Sequence, residues 1–166
     1  MGKTKHDTTT TVEVRPKQMS AAILVKQNEP LVVKEIDIPV LSAGQILVKI
    51  EYSGICGKQI DEIVGKRGDD PYLPHLLGHE GAGTVVEVGS GVRKVKPGDT
   101  VVVNWIKGSG IDSASHKFVW DNKKVDAGWA TTFSDMTIVS ENRVTRIPKE
   151  ISYDVASLLG CAVTTG

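Results

Sequence analysis

The apolar residues of this chain fall into short runs, rich in Val and Ile and separated by Pro, Gly and Asn, and this pattern predicts β-strands rather than helices. Pro97 and Gly98 precede one such run, as a tight turn leading into a buried strand would. The predicted strands are Ala21–Val25, Leu31–Ile38, Gln45–Tyr52, Gly83–Val88, Thr100–Val103, Thr132–Val139 and Val144–Ile147. Many short strands with few helices indicate an antiparallel barrel or sandwich.

Turn and helix signals complete this outline. Asp121 and Asn122 separate two short apolar segments and predict a small hairpin. A first helix is expected over Gly57–Val64, because its apolar residues share one side of a helical turn. A second helix is expected after Ser152, a favourable N-cap residue, and should end at Gly160.

Length and charge bound the function. The chain has 166 residues, enough for one domain with a core. Lys and Arg number 20 and Asp and Glu number 20, so neither a nucleic acid nor an anionic membrane is an expected partner. No apolar run has the length of a membrane span or the form of a signal peptide, and we expect a cytoplasmic protein. Residues 1–18 have almost nothing to bury and are expected to be a disordered lead-in.

Two cysteines and one histidine stand in glycine-rich surroundings. Cys56 lies between Gly54 and Gly57, and His79 follows Gly78. The second cysteine, Cys161, is far from the first in sequence, so free thiols or metal ligands are favoured over a disulfide framework. Taken singly, a cysteine is most often a small buried apolar residue and a histidine a hydrogen-bonded one. The glycines indicate a backbone that something approaches closely.

Residues 78–92, which read GHEGAGTVVEVGSGV, resemble the zinc signature of the medium-chain dehydrogenase/reductase family, which includes zinc alcohol dehydrogenases and sorbitol dehydrogenases. Ser53–Gly57, Val95–Val101 and Gly160–Cys161 are similar to further family segments, in family order. The resemblance implies a mainly β fold with a few short helices, a GroES-like partly open β-barrel, over residues 19–160. It also implies that residues 161–166 begin the connection to a Rossmann domain that is missing from this sequence.

By the same resemblance, Cys56, His79 and Cys161 hold one catalytic zinc and leave its fourth position open, the known ligand set of alcohol dehydrogenases. Zinc then acts as a Lewis acid while hydride passes between an alcohol or polyol, or its carbonyl, and NAD or NADP bound by the absent domain. The isolated chain is therefore expected to be inactive, and the complete protein to be a homo-oligomer.

Two further site residues follow from the resemblance. Glu80 is expected to be a carboxylate near the zinc that tunes metal exchange or ligand orientation, and the alternative is a solvated acid beside a glycine turn. Trp105 aligns with a position that lines the substrate pocket, and the alternative is an ordinary packing residue.

This sequence departs from the family pattern just after the first ligand. The family usually has a hydroxyl residue two positions after that cysteine and an aspartate next, and here Lys58 and Gln59 stand instead. Lys58 is a candidate for proton transfer, and a solvated surface lysine is the alternative. Gln59 is expected to accept a hydrogen bond from His79 without carrying a charge.

Further departures concern absent motifs. Many zinc-dependent relatives carry four closely spaced cysteines for a structural zinc, whereas none lies between Val103 and Phe133, so no structural zinc is expected. His75 and His116 stand in no ligand pattern. Three glycine pairs lack the third glycine of a dinucleotide fingerprint and are interpreted as turn and loop glycines: Gly81 and Gly83, Gly89 and Gly91, Gly108 and Gly110. The alternatives to the enzyme are a non-catalytic GroES-like binding module and a zinc-free reductase of the same superfamily. Retention of all three ligand residues speaks against the reductase.

Overall fold

The computed structural model describes residues 15–166, which form two five-stranded sheets. The strands are β1 Gln18–Leu24, β2 Val32–Asp37, β3 Gln45–Ser53, β4 His75–Leu76, β5 Glu80–Val88, β6 Thr100–Asn104, β7 Lys117–Trp120, β8 Lys123–Asp126, β9 Met136–Ser140 and β10 Val144–Arg146. The first sheet has the order β2-β1-β4-β8-β7 and the second β10-β6-β5-β3-β9. Neighbouring strands are antiparallel except for β4 and β8, which pair in parallel.

One short helix lies between two strands, and two more follow the last strand. They are α1 Gly57–Ile63, α2 Tyr153–Ser157 and α3 Ala162–Thr165, with 3₁₀ turns at Glu141–Arg143 and Leu158–Gly160. The second helix is shorter than its sequence pattern predicts, because it tightens into the 3₁₀ turn before Gly160, and the Ser152 side chain makes no capping bond. None of the helices in the described part of the chain is long and apolar enough to cross a membrane.

Strand β3 lies between two apolar cores, and this explains its sequence. Leu47 belongs to one core, with Met19, Ile23, Ile36, Phe118 and Ile138. Ile46 and Val48 belong to the other, with Val85, Val101, Val103 and Val139. Alternate residues of a strand point to opposite faces, so the first half of β3 is buried on both. Lys49 is the first exposed residue of the strand.

Glycines let β5 approach β3 closely. A Cβ at Gly83 would lie 1.9 Å from the Lys49 carbonyl oxygen, and one at Gly81 would lie 3.0 Å from the Tyr52 carbonyl oxygen. These two residues lie within β5, so their interpretation as turn glycines was wrong, and β5 begins three residues earlier than predicted.

The predicted hairpin is present as β7 and β8. Asp121 and Asn122 have φ angles of 50° and 58°, as a two-residue turn of type I′ requires. Strand β9 begins at Met136 rather than Thr132, because Thr132 and Phe133 donate their backbone N–H groups to the Leu77 carbonyl instead of joining the sheet.

The N-terminal boundary also differs from expectation. Residues 1–14 of the expected lead-in lie outside the described residues, whereas residues 15–18 are in place. Gln18 begins β1, and Arg15 forms an ion pair with Glu87 and donates to the Pro39 carbonyl at 2.6 Å.

Candidate metal centre

Three chain segments bring the predicted ligands together. Cys56 is the N-cap of α1, His79 precedes β5, and Cys161 lies between the last 3₁₀ turn and α3. One ligand atom from each, two sulfurs and an imidazole nitrogen, lie within 4.8 Å of one another. Cys161 is buried and the other two are half-buried. No second group of three such side chains meets in this way among residues 15–166.

The chemistry of these atoms fits a zinc ion. Nε2 of His79 is buried and has no hydrogen-bond partner, an arrangement that costs about 1–3 kcal/mol unless something else binds the nitrogen. Burial lowers the pKa of His79 below its usual value, although the carboxylates of Glu80 and Glu62 act in the opposite direction. The ring is therefore neutral at pH 7, and a neutral imidazole with two cysteine sulfurs is a zinc donor set.

Gln59 contacts two of the three ligand residues. Its side chain is buried, its Oε1 accepts the backbone N–H of Cys56 at 3.1 Å, and its amide nitrogen lies against Nδ1 of His79. The sequence interpretation expected the amide oxygen to face the ring. The oxygen faces the N-terminus of α1 instead, because the Cys56 N–H needs an acceptor there.

Glu80 is buried, so the solvated alternative for this residue was wrong. Its Oε2 accepts the backbone N–H groups of Cys161 at 2.8 Å and Ala162 at 3.0 Å. Two glycines leave room for it, because a Cβ at Gly54 would lie 2.5 Å from Glu80 Oε1 and one at Gly160 would lie 2.7 Å from Glu80 Cβ. The side chain therefore contacts segments that carry the first and the third predicted ligand.

A cavity of about 800 Å³ opens onto all three predicted ligands. Lys58 and Trp105 both line it. Nζ of Lys58 lies 3.3 Å from Oε1 of Glu62, one helical turn further on, and Trp105 is about half exposed. Lys58 is thus neither buried nor free in solvent, and the structure places it at the wall of the cavity.

The residues of the cavity wall that the sequence interpretation missed include Trp129 and His75. Trp129 lines the cavity, and the Arg143 guanidinium lies 5.2 Å from its ring centre while donating to the Trp105 carbonyl. His75 also lines the cavity, and its Nε2 lies 2.9 Å from Asp70 Oδ2. Neither residue belongs to a sequence motif, although an isolated tryptophan among polar residues is itself a weak signal.

A second buried carboxylate lies away from the predicted ligands. Glu141 accepts three backbone N–H groups, from Arg93 at 2.6 Å and Lys94 at 2.7 Å on Oε1, and from Ile111 at 2.8 Å on Oε2. Burial raises the pKa of the Glu141 carboxyl, but these N–H groups and the Lys94 charge outweigh it, and the net pKa lies below its usual value. A Cβ at Gly110 would lie 2.8 Å from its Cγ. The carboxylate thus ties the cysteine-free segment that follows β6, through Ile111, to Arg93 and Lys94, which precede β6.

Comparison with known proteins agrees with this fold. The chain belongs to the alcohol dehydrogenase GroES-like domain family, whose model matches residues 42–149. This confirms the resemblance to zinc alcohol dehydrogenases and the expected GroES-like, mainly β fold.

The curated relatives are longer proteins. The chain is 35% identical to the S-(hydroxymethyl)glutathione dehydrogenase of Photobacterium damsela subsp. piscicida, over 88% of this chain and 46% of that protein. It is 33% identical to the protein of the same name from Escherichia coli O1:K1 / APEC, over the same shares. The chain thus spans about half the length of the curated relatives it matches.

Solved structures share the fold. An alcohol dehydrogenase zinc-binding domain protein from Burkholderia ambifaria superposes with a TM-score of 0.79 at 22% identity, over 89% of this chain and 46% of that one. An alcohol dehydrogenase from Thermotoga maritima superposes with a TM-score of 0.69 at 28% identity, over the same shares.

Proposed function

We propose that this chain is the catalytic domain of a zinc-dependent oxidoreductase that transfers hydride between a small alcohol or polyol, or the corresponding carbonyl compound, and NAD or NADP. One observation carries the proposal. Two cysteine sulfurs and an imidazole nitrogen of His79 lie within 4.8 Å of one another at the wall of a cavity of about 800 Å³, and Nε2 of that ring is buried without a hydrogen-bond partner. Membership of the alcohol dehydrogenase GroES-like family supports it.

In this proposal Cys56, His79 and Cys161 hold one zinc. When bound there, zinc supplies Lewis acidity to the substrate oxygen, and the two thiolates nearly balance its charge. The exposed ring of Trp105 limits the width of the cavity, so it acts on substrate shape rather than on the chemistry. No structural zinc is part of the proposal.

The dinucleotide is proposed to bind outside these residues, in a Rossmann domain of the complete protein. The chain spans 46% of the curated relatives' length. None of the glycine pairs in the sequence has the fingerprint of a pyrophosphate-binding turn. We therefore propose that the 166-residue chain alone is inactive, and that the complete enzyme is a cytoplasmic homo-oligomer.

Lys58 is the proposed group for proton transfer to and from the substrate oxygen. It lines the cavity, and its ion pair with Glu62 keeps the ammonium at the wall. In the complete enzyme Lys58→Ala should lower turnover at least about tenfold while zinc content stays unchanged, since general acid–base catalysis contributes a factor of about 100 or more. Unchanged turnover would reject this role.

Zinc content of the purified chain tests the proposal directly. Elemental analysis of the parent chain should find about one zinc per chain, and Cys56→Ser and Cys161→Ser should each lose it. His116→Ala is the control, because His116 lies outside the cavity and should leave the zinc content unchanged. A parent chain that takes up no zinc, or serine variants that keep it, would contradict the metal site and favour a zinc-free reductase or a binding module.

A further inference from the structure

We propose that Glu80 is the positioning residue for the third ligand, holding the Cys161 segment against the end of β5 before any metal binds. This inference rests on the proposed function for its purpose, because a preformed three-ligand site is useful only where a metal is bound. The holding contact itself is a property of the metal-free chain, and it can be tested separately.

The two hydrogen bonds of the Glu80 carboxylate both go to the Cys161 segment. Oε2 of Glu80 accepts the N–H groups of Cys161 and Ala162, at 2.8 Å and 3.0 Å, and the side chain is 2% exposed. Hydrogen bonds from backbone N–H groups to a buried carboxylate are among the stronger contacts in proteins. The elements on either side of Cys161 are a three-residue 3₁₀ turn and a four-residue helix, which are too short to be stable by themselves.

Two glycines leave space for the Glu80 side chain. Gly54 lies two residues before Cys56, and Gly160 lies directly before Cys161. A Cβ at either position would come closer than 3.0 Å to Glu80 atoms. His79 is the chain neighbour of Glu80. One carboxylate is therefore close to every segment that carries a predicted ligand, and its two hydrogen bonds both go to the segment of the third ligand.

The reactivity of Cys161 measures this contact directly. Because the chain has two cysteines, Cys56→Ser leaves Cys161 as its only thiol, and chelator keeps the sample free of metal. The rate of modification by 5,5′-dithiobis(2-nitrobenzoate) then reports how often the Cys161 segment leaves the sheet. In this background Glu80→Asp should raise the rate about tenfold or more, because a side chain one methylene shorter keeps the charge but does not reach the N–H groups.

Two comparisons separate holding from mere charge. Glu80→Gln removes the charge but keeps the length and one acceptor oxygen, so it should raise the rate less than Glu80→Asp does. Glu87→Asp is the matched control on the same strand, and it should leave the rate unchanged. A rate that rises in Glu80→Gln but not in Glu80→Asp would overturn the proposal, because charge alone would then govern the thiol.

A second variant keeps the test decisive if Glu80→Asp does not fold. Gly160→Ala leaves Glu80 intact but places a Cβ 2.7 Å from Glu80 Cβ and 2.7 Å from the Val103 carbonyl oxygen, so it should also accelerate the modification of Cys161. Gly108→Ala is its control, since that Cβ would meet its nearest atom at 3.5 Å. An unchanged rate in Gly160→Ala would also overturn the proposal. Because every measurement is made without metal, a chain that fails to bind zinc would refute the proposed function and leave this result standing.

Discussion

Two ionisable side chains, Glu141 and His79, differ in whether the protein supplies a hydrogen-bond partner for every buried polar atom of the side chain. Around Glu141, three backbone N–H groups occupy both carboxylate oxygens. Around His79, the imidazole nitrogen Nε2 is buried and has no partner, although two cysteine sulfurs lie close by. Buried polar groups are almost always hydrogen-bonded. The Glu141 carboxylate is thus used fully by the protein to hold loops together, although Oδ1 of Asn142 and Nε of Arg143 beside it are also buried without a partner. His79 differs from these because its side chain meets two cysteine sulfurs, a set of atoms that can share a metal.

Hydrogen bonds link the residues beside Glu141 to the cysteine-free segment that follows β6. Asn142 donates its backbone N–H to the Ile111 carbonyl, and Ser113 donates its N–H to Ser140 Oγ at 2.8 Å. The cysteine-free segment that follows β6 is thus tied to the end of β9 by hydrogen bonds around one carboxylate. The two regions should therefore respond differently to metal, to mutation and to pH.

The largest expected difference is the response to zinc. Zinc should raise the free energy of unfolding by about 4 kcal/mol at a free concentration of about 1,000 Kd, because it binds only the folded chain. His79→Ala should abolish this increase, whereas His116→Ala should keep it. Urea unfolding with and without zinc measures the effect. An equal response in both variants would show that His79 does not hold the zinc.

Substitution of Glu141 should act in the opposite way. Glu141→Gln places an amide N–H₂ group where backbone N–H groups need an acceptor, and we expect it to lower the free energy of unfolding by about 2–4 kcal/mol, with or without zinc. Glu29→Gln is the control, because the ion pair of Glu29 with Lys26 lies at the surface, is screened by solvent and should contribute little to stability. A zinc-dependent loss in Glu141→Gln would show that the regions are coupled.

The dependence of stability on pH should come in part from Glu141. The pKa of Glu141 lies below its usual value in the folded chain, so its carboxylate stabilises the fold above pH 4.5, the reference value for an unperturbed glutamate. This stabilisation is lost as the pH falls through the folded pKa. Urea unfolding at a series of acidic pH values should show a steeper loss for the parent chain than for Glu141→Gln. Parallel curves would contradict the assignment.

Local signals account for the parts of the fold that the sequence predicts. The turn at Asp121 and Asn122 follows from residues that tolerate positive φ, and β3 follows from its alternating apolar residues. Strand β4 and helix α3 were not predicted, because elements of two and four residues carry no periodicity. They form only where other parts of the chain support them.

The candidate site also has residues that the sequence predicts and contacts that it does not. The three predicted ligands came from a resemblance between short motifs, and the structure brings them together. The partners of Glu80 and Glu141 could not have been predicted, because they are backbone N–H groups, which every residue except proline has. Cys161 lies 81 positions from Glu80 in the chain, and Arg93 lies 48 positions from Glu141. Only the fold selects them.

The smallest expected effect concerns two buried glutamines, Gln45 and Gln59. Gln45, the first residue of β3, uses both ends of its amide. Its Oε1 accepts from Ser42 N–H at 2.8 Å, and its nitrogen donates to the Ala114 carbonyl at 3.1 Å. At the metal centre Gln59 faces two groups that both need an acceptor once Nε2 of His79 binds a metal, because the ring proton then lies on Nδ1. A carboxylate satisfies both groups, whereas the amide oxygen already accepts from Cys56.

Gln59→Glu should therefore tighten zinc binding about tenfold, equivalent to about 1.4 kcal/mol, and should destabilise the metal-free chain, in which no metal charge offsets the buried carboxylate. Gln45→Glu is the matched control. It should lower the free energy of unfolding by about 1–3 kcal/mol, because the Ala114 carbonyl loses its donor, and should leave zinc affinity unchanged. Competition titration against a zinc chelator measures both affinities. If Gln59→Glu binds zinc no more tightly than the parent, the amide at this position serves the metal centre as well as a carboxylate would, and the centre is less open than the unpartnered nitrogen of His79 indicates.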